Sequence, residues 1–135
     1  MKISSELRAT VARRAGSRCE YCRIHEDDAI YAHEVDHVVS RQHGGETVAA
    51  NLAYACMICN RLKGTNLSSV TTSGDLVRLF DPRLHKWEEH FRLEGAVIQP
   101  LSPIAEVTTR LLRLNTAERV VRRGILQQLG RYPRD

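Results

Sequence analysis

The 135-residue chain is poor in several features, and each shortage excludes something. No apolar run approaches the roughly 18–20 residues that cross a bilayer, so no membrane partner is expected. The opening residues, with Lys2, Glu6 and Arg8 among the first eight, contain no apolar leader core, and a cytoplasmic location is expected. Aromatics are scarce, one Trp, four Tyr and two Phe, so aliphatic side chains must build most of the core. No repeat and no low-complexity run breaks the chain, and 42% apolar with 27% charged residues suits an ordered domain rather than a disordered one. Lysine is rare as well: arginine supplies 17 of the 20 basic residues.

The charge that is present is unevenly spread. From Pro103 onward seven basic residues face three acidic ones, and residues 1–102 balance at thirteen of each, so the whole net charge of +4 lies in the last quarter. Arginine's planar fork matches phosphate better than lysine's point charge. Arg119, Arg122 and Arg123 group at helical spacing, and they are expected either to face nucleic acid or to form a solvated helix face.

Four cysteines occur as two pairs, Cys19-x-x-Cys22 and Cys56-x-x-Cys59, with 33 residues between the pairs. Two such pairs in a chain expected inside the cell read as a tetrahedral thiolate site for zinc rather than as disulfides. Four thiolates close the coordination of zinc, so the metal is expected to hold the fold and to leave catalysis to other groups. No thioredoxin-like βαβ pattern surrounds either pair, which removes the redox reading.

Around the cysteines the local pattern reads as follows. Ser4 or Ser5 caps a helix over Glu6 to Ala15; Ile30 to Ala32 and Val35 to Val39 read as strand; Gly44-Gly45 opens a loop to about Ala50; Asn51 to Ala55 is extended. Met57 to Lys63 reads as helix, ended by Gly64 in the left-handed region. Beyond it Leu76 to Phe80, Trp87 to Leu93 and Ala96 to Ile98 read as strands. Ser102-Pro103 begins a helix, and Asn115-x-x-Glu118 begins another whose apolar face is Val121, Ile125 and Leu129.

Between the cysteine pairs lie groups with chemistry. Asp36 and Asn60 offer hard oxygen ligands suited to Mg2+ or a similar ion. His37 beside them is a general base in waiting, and Asn51 can orient it. Adjacent strand residues point to opposite faces, so Asp36 and His37 converge only at a strand end or bulge.

The stretch Cys19-Glu20-Tyr21-Cys22, Val35-Asp36-His37-Val38-Val39-Ser40-Arg41-Gln42-His43-Gly44-Gly45, Asn51-Leu52 and Cys56-Met57-Ile58-Cys59-Asn60-Arg61-Leu62-Lys63-Gly64 resembles the HNH endonuclease family. The resemblance covers about a third of the chain, and Phe80-Asp81-Pro82-Arg83 through Trp87, His90-Phe91 and Gly95 looks like an extension carried by small bacterial HNH proteins. It implies an α+β fold: a zinc-stapled treble-clef ββα-metal core over residues 1–66, then strands and two basic helices over 67–135. It implies a metal-dependent nuclease cutting DNA, with His37 as general base, Asn51 orienting it, and Asp36 and Asn60 on a catalytic divalent ion. Asn60 stands at the family's last motif position, where His or Asn occurs, so this is an H-N-N variant. His43, Arg61 and Lys63 are further candidates for phosphate contact. A zinc-containing nucleic-acid-binding module without catalysis is the alternative. No added helix-turn-helix or zinc-finger reader is legible, so specificity is expected to be low or lent by a protein partner.

Overall fold

The computed structural model describes residues 3–134. Ser4 caps helix α1 (Ser5–Arg14) by accepting from the Leu7 amide, and α1 buries only Val11 fully. A knuckle carrying Cys19 and Cys22 follows, closed by the Cys19 amide on the Ile24 carbonyl at 2.8 Å. Strand β1 (Glu34–His37) then pairs antiparallel with β2 (Leu52–Ala55), with Asp36 opposite Ala53 and His37 opposite Leu52. Helix α2 (Met57–Lys63) starts at Cys56, whose sulfur caps the Cys59 amide. Every residue of β2 is buried: Leu52 and Tyr54 pack with Val11 of α1 and with Ala15 just after it, and Ala55 joins the core around the cysteines.

The second half adds two more hairpins and three helices. Strands β3 (Ser68–Val70) and β4 (Leu76–Arg78) pair antiparallel. A single turn α3 (Trp87–His90) leads into β5 (Phe91–Glu94), which pairs with β6 (Val97–Pro100). Helix α4 (Pro103–Leu111) is capped by Ser102, and α5 (Ala117–Gln128) by Thr116. Phe80, Phe91, Ile98, Ala105, Leu112 and Leu114 close the same core as Cys19, Tyr21 and Cys59, so the later hairpin and helices seal the zinc-binding half rather than hanging from it.

Several expectations are corrected. Ile30 to Ala32 forms no strand; Ile30 and Tyr31 are exposed, and the chain turns inward only at His33, whose Nε2 meets the Ile24 carbonyl. Trp87 to His90 is a helical turn rather than strand, because Trp87 reaches back to donate its ring N–H to the Tyr21 carbonyl at 2.8 Å. Gly64 has φ 54° but ψ −130°, outside the left-handed helical region. Asn115 is not the cap of α5; its side chain instead pairs with both backbone groups of Ile98, at 2.8 and 2.7 Å.

The largest correction concerns the face of α5. Val121, Ile125 and Leu129 are exposed, and Arg123 is buried. The helix lies against backbone carbonyls and buried sulfurs, which accept guanidinium N–H groups and offer an aliphatic side chain nothing but contact. Polar demand from the neighbouring surface therefore overrides the hydrophobic stripe.

Candidate metal centre and catalytic face

The four cysteine sulfurs converge as spacing predicts. All lie within 4.8 Å of one another and are buried. Cys22 Sγ and Cys56 Sγ stand 3.8 Å apart, the separation roughly expected of two thiolates that share a tetrahedral zinc at about 2.3 Å each. Amides of Tyr21 and Cys22 point at Cys19 Sγ, and the Cys59 amide points at Cys56 Sγ, each at 3.4 Å. Burial pushes the Cys19 and Cys59 thiols up, while hydrogen bonds from Cys19, Cys56 and Cys59 hold Cys22 down. A donor set of this kind fits a zinc ion, held by Cys19, Cys22, Cys56 and Cys59, whose role is to tie the knuckle to α2.

His37 closes β1, on the opposite side from Asp36. Its Nε2 lies 2.9 Å from Thr47 Oγ1, and among the described residues Nδ1 has no hydrogen-bond partner. Thr47 Oγ1 also accepts from Arg41 Nη1 at 3.1 Å. Burial lowers the pKa of His37; Asp36 opposes this and the Arg41 and Lys63 charges add to it, so the surroundings favour the neutral ring. Sequence reading assigned nothing to Thr47, because a lone threonine in a loop carries no signal until the loop's path is known.

Asn51 sets that path. Its Oδ1 accepts from the Val39 amide at 3.0 Å, and its Nδ2 donates to the carbonyls of Val39 and Glu46 at 2.9 and 2.8 Å. The side chain thus pins the loop immediately before Thr47 and bonds no atom of the His37 ring. Gly45 lies so close to this pin that a Cβ there would stand 1.7 Å from the Val39 oxygen and 2.8 Å from Asn51 Nδ2. Arg14 of α1 fixes the other side of the turn through the carbonyls of Ala49 and Leu52.

Asp36 points inward instead. It is buried, 3.2 Å from the Tyr21 hydroxyl and 3.1 Å from Lys63 Nζ. Lys63 Nζ also donates to the carbonyls of His37 and Val38, both at 3.2 Å. Burial raises the Asp36 pKa against the opposing pull of Lys63. Asn60 donates to Glu34 Oε1 at 2.8 Å, and Arg61 pairs with Glu34 Oε2 at 3.3 Å. The pair expected to hold a catalytic divalent ion does not fit one in this arrangement: Asp36 is sealed off by Tyr21 and Lys63, and Asn60 is turned to a different carboxylate. Lys63, only 2% exposed, cannot reach a phosphate, which corrects that expectation.

The remaining candidates separate cleanly. His43 ends an exposed 3-10 turn (Arg41–His43), and Arg61 keeps 68% of its side chain exposed, so both side chains face solvent near the hairpin. Arg119 and Arg122 are half-buried and Arg123 is buried. Arg119 Nη2 lies 3.1 Å from Cys59 Sγ, Arg122 donates to the Asp28 carbonyl, and Arg123 donates to the Ala96 carbonyl and Asn115 Oδ1. These contacts hold Arg119 and Arg123 against the fold, while Arg122 stays half-buried with one backbone bond.

The family model described as HNH endonuclease matches residues 19–66, the stretch from the first zinc-site cysteine to just beyond α2. No curated protein and no solved structure matches the chain. No helix among the described residues is long and apolar enough to cross a membrane. Residues 19–66, with four cysteines positioned for zinc and His37 at the end of β1, are thus similar to the HNH endonuclease family, within an α+β chain.

Proposed function

We propose that the chain hydrolyses phosphodiester bonds of DNA, with His37 as the general base. The observation that carries the reading is the setting of His37: one ring nitrogen lies 2.9 Å from Thr47 Oγ1, the other has no hydrogen-bond partner among the described residues, and burial lowers the pKa of the ring. With Nε2–H donating to Thr47, Nδ1 is the basic nitrogen and takes a proton from water as its oxygen attacks phosphorus. The bond from phosphorus to the 3′ oxygen breaks, and the leaving oxygen takes the bonding pair and a proton from solvent, giving a 5′-phosphate and a 3′-hydroxyl, as the family resemblance implies. Arg41, bonded to the same threonine, brings positive charge to where phosphate charge grows, and His43 and Arg61 supply phosphate contacts at the rim.

Zinc on the four cysteines supplies structure, holding the knuckle against α2. The second, divalent ion implied by the resemblance, Mg2+ or another, finds no ligand pair in Asp36 and Asn60 as they are paired here, and no step above depends on it. Asp36 acts through Lys63, locking α2 to β1 and so fixing the strand end that bears His37. A cytoplasmic location, and a protein partner that lends specificity, extend the reading. Incubation with supercoiled plasmid, with and without Mg2+, tests it. Relaxed or linear product from wild type and none from His37→Ala is expected; binding without cleavage by wild type under both conditions would favour the non-catalytic zinc module.

A further inference from the structure

We propose that Arg119 belongs to the metal centre: its guanidinium, delivered by the first turn of α5, is a hydrogen-bonding countercharge to the sulfurs of Cys56 and Cys59 and slows loss of the zinc. The inference is independent of the nuclease reading. Four thiolates around one zinc ion leave two negative charges, and all four sulfurs here belong to residues at most 5% exposed. Buried charge without a partner is costly. Backbone amides at 3.4 Å serve Cys19 and Cys56, but they are neutral dipoles. Cys59 Sγ receives no such amide; among the described residues its donor is Arg119 Nη2, at 3.1 Å, with Cys56 Sγ at 3.9 Å from the same nitrogen.

The guanidinium is held for this task. Its Nη1 donates to the carbonyls of Leu112 and Arg113, at 2.8 and 3.3 Å, where α4 has ended and left them without helical partners. One nitrogen thus grips the end of α4 and the other grips the sulfurs, a two-ended contact that a planar fork can make and a single ammonium cannot. Hydrogen bonds from a cation lower the basicity of a thiolate and make it a poorer nucleophile towards protons and oxidants. The same side chain covers one flank of Cys56 and Cys59 against an incoming chelator. Because the contact couples two events, zinc binding must favour docking of α5 as much as docked α5 favours zinc.

Transfer of zinc to a coloured chelator in excess tests the assignment on the whole chain. Groups just outside a metal's ligands typically change affinity about 10–100-fold, and Arg119→Gln is expected to release zinc faster by about that factor while retaining its helical circular dichroism. Arg119→Lys, keeping the charge but losing the fork, should fall between wild type and Arg119→Gln. Arg122→Gln, one turn-step away on a backbone carbonyl of Asp28, should release zinc at the wild-type rate. A folded Arg119→Gln that releases zinc as slowly as wild type overturns the proposal. Should that variant fail to fold, Arg119→Lys decides: release indistinguishable from wild type overturns it equally.

Discussion

His37 is useful as a base only if it stays neutral where the protein works, and its surroundings secure this. Burial and the charges of Arg41 and Lys63 oppose protonation, outweighing the attraction of Asp36. A lowered pKa keeps the basic form populated further into acid, so the rate should be flat at neutral pH and fall only as pH drops through that value. The midpoint of the acid limb in a profile of cleavage rate against pH is therefore expected below the ordinary histidine value of about 6.5. Arg41→Gln removes one opposing charge and should move that midpoint upward; a midpoint above 6.5 in wild type would contradict the electrostatic account. Thr47 fixes the ring through a single bond at 2.9 Å. Thr47→Val keeps the shape and loses the bond, and a rate loss of about 10–100-fold is expected from the misplaced base, with Thr47→Ser close to wild type. Single-turnover cleavage with an unchanged rate in Thr47→Val would remove the threonine from the mechanism.

The β1–α2 pair shows what an element adds to its residues. Asp36 and Lys63 form a buried ion pair, and removing one partner of such a pair typically costs about 3–5 kcal/mol. Asp36→Asn should show that loss in urea unfolding. Adding Lys63→Met should restore part of it, since both charges are then gone. An Asp36→Asn protein of wild-type stability whose activity merely needs more divalent ion would instead return Asp36 to the role of ligand. Gly45→Ala tests the loop side of the hairpin: its Cβ would collide with the Val39 oxygen, so the Asn51 pin must shift, and cleavage should fall with the zinc retained. Much of this half was legible in the sequence, because cysteine spacing, a cap at Ser4 and the run from Met57 to Lys63 are local signals. Alternation along β1 left Asp36 and His37 able to converge only at a strand end or bulge, and in the fold they part. Which of them meets α2, and which loop residue meets the imidazole, depends on contacts across 10 to 27 residues that no local pattern carries. The α5 face was misread for a related reason. The stripe Val121, Ile125 and Leu129 describes the helix alone, whereas its orientation is set by the sulfurs and carbonyls that Arg119 and Arg123 satisfy.

Across the whole molecule the zinc-binding knuckle is tied to segments far along the chain. Trp87 donates to the Tyr21 carbonyl and stacks beneath the Arg23 guanidinium at 4.8 Å; Arg83 pairs with Glu20; the Tyr132 hydroxyl donates to the Cys22 carbonyl at 2.8 Å. These contacts straddle Cys19 and Cys22, so the metal site and the later segments brace the same knuckle. Structural zinc supplies folding free energy directly, and a chain joined this way should lose it as one unit. Trp87 is the sole tryptophan and reports on the far side of the junction. In heating, the midpoint of its fluorescence change should coincide with that of helical circular dichroism and with the appearance of free zinc, as a two-state transition requires. Removing zinc with a chelator at room temperature should shift Trp87 emission towards that of solvent-exposed indole, although no zinc ligand lies within 27 residues of it. Two separated thermal transitions, with Trp87 unmoved while zinc is lost, would mean that the later hairpins and helices form their own unit beside the metal centre. Coincident midpoints would mean that the last third of the chain is part of what the zinc holds together.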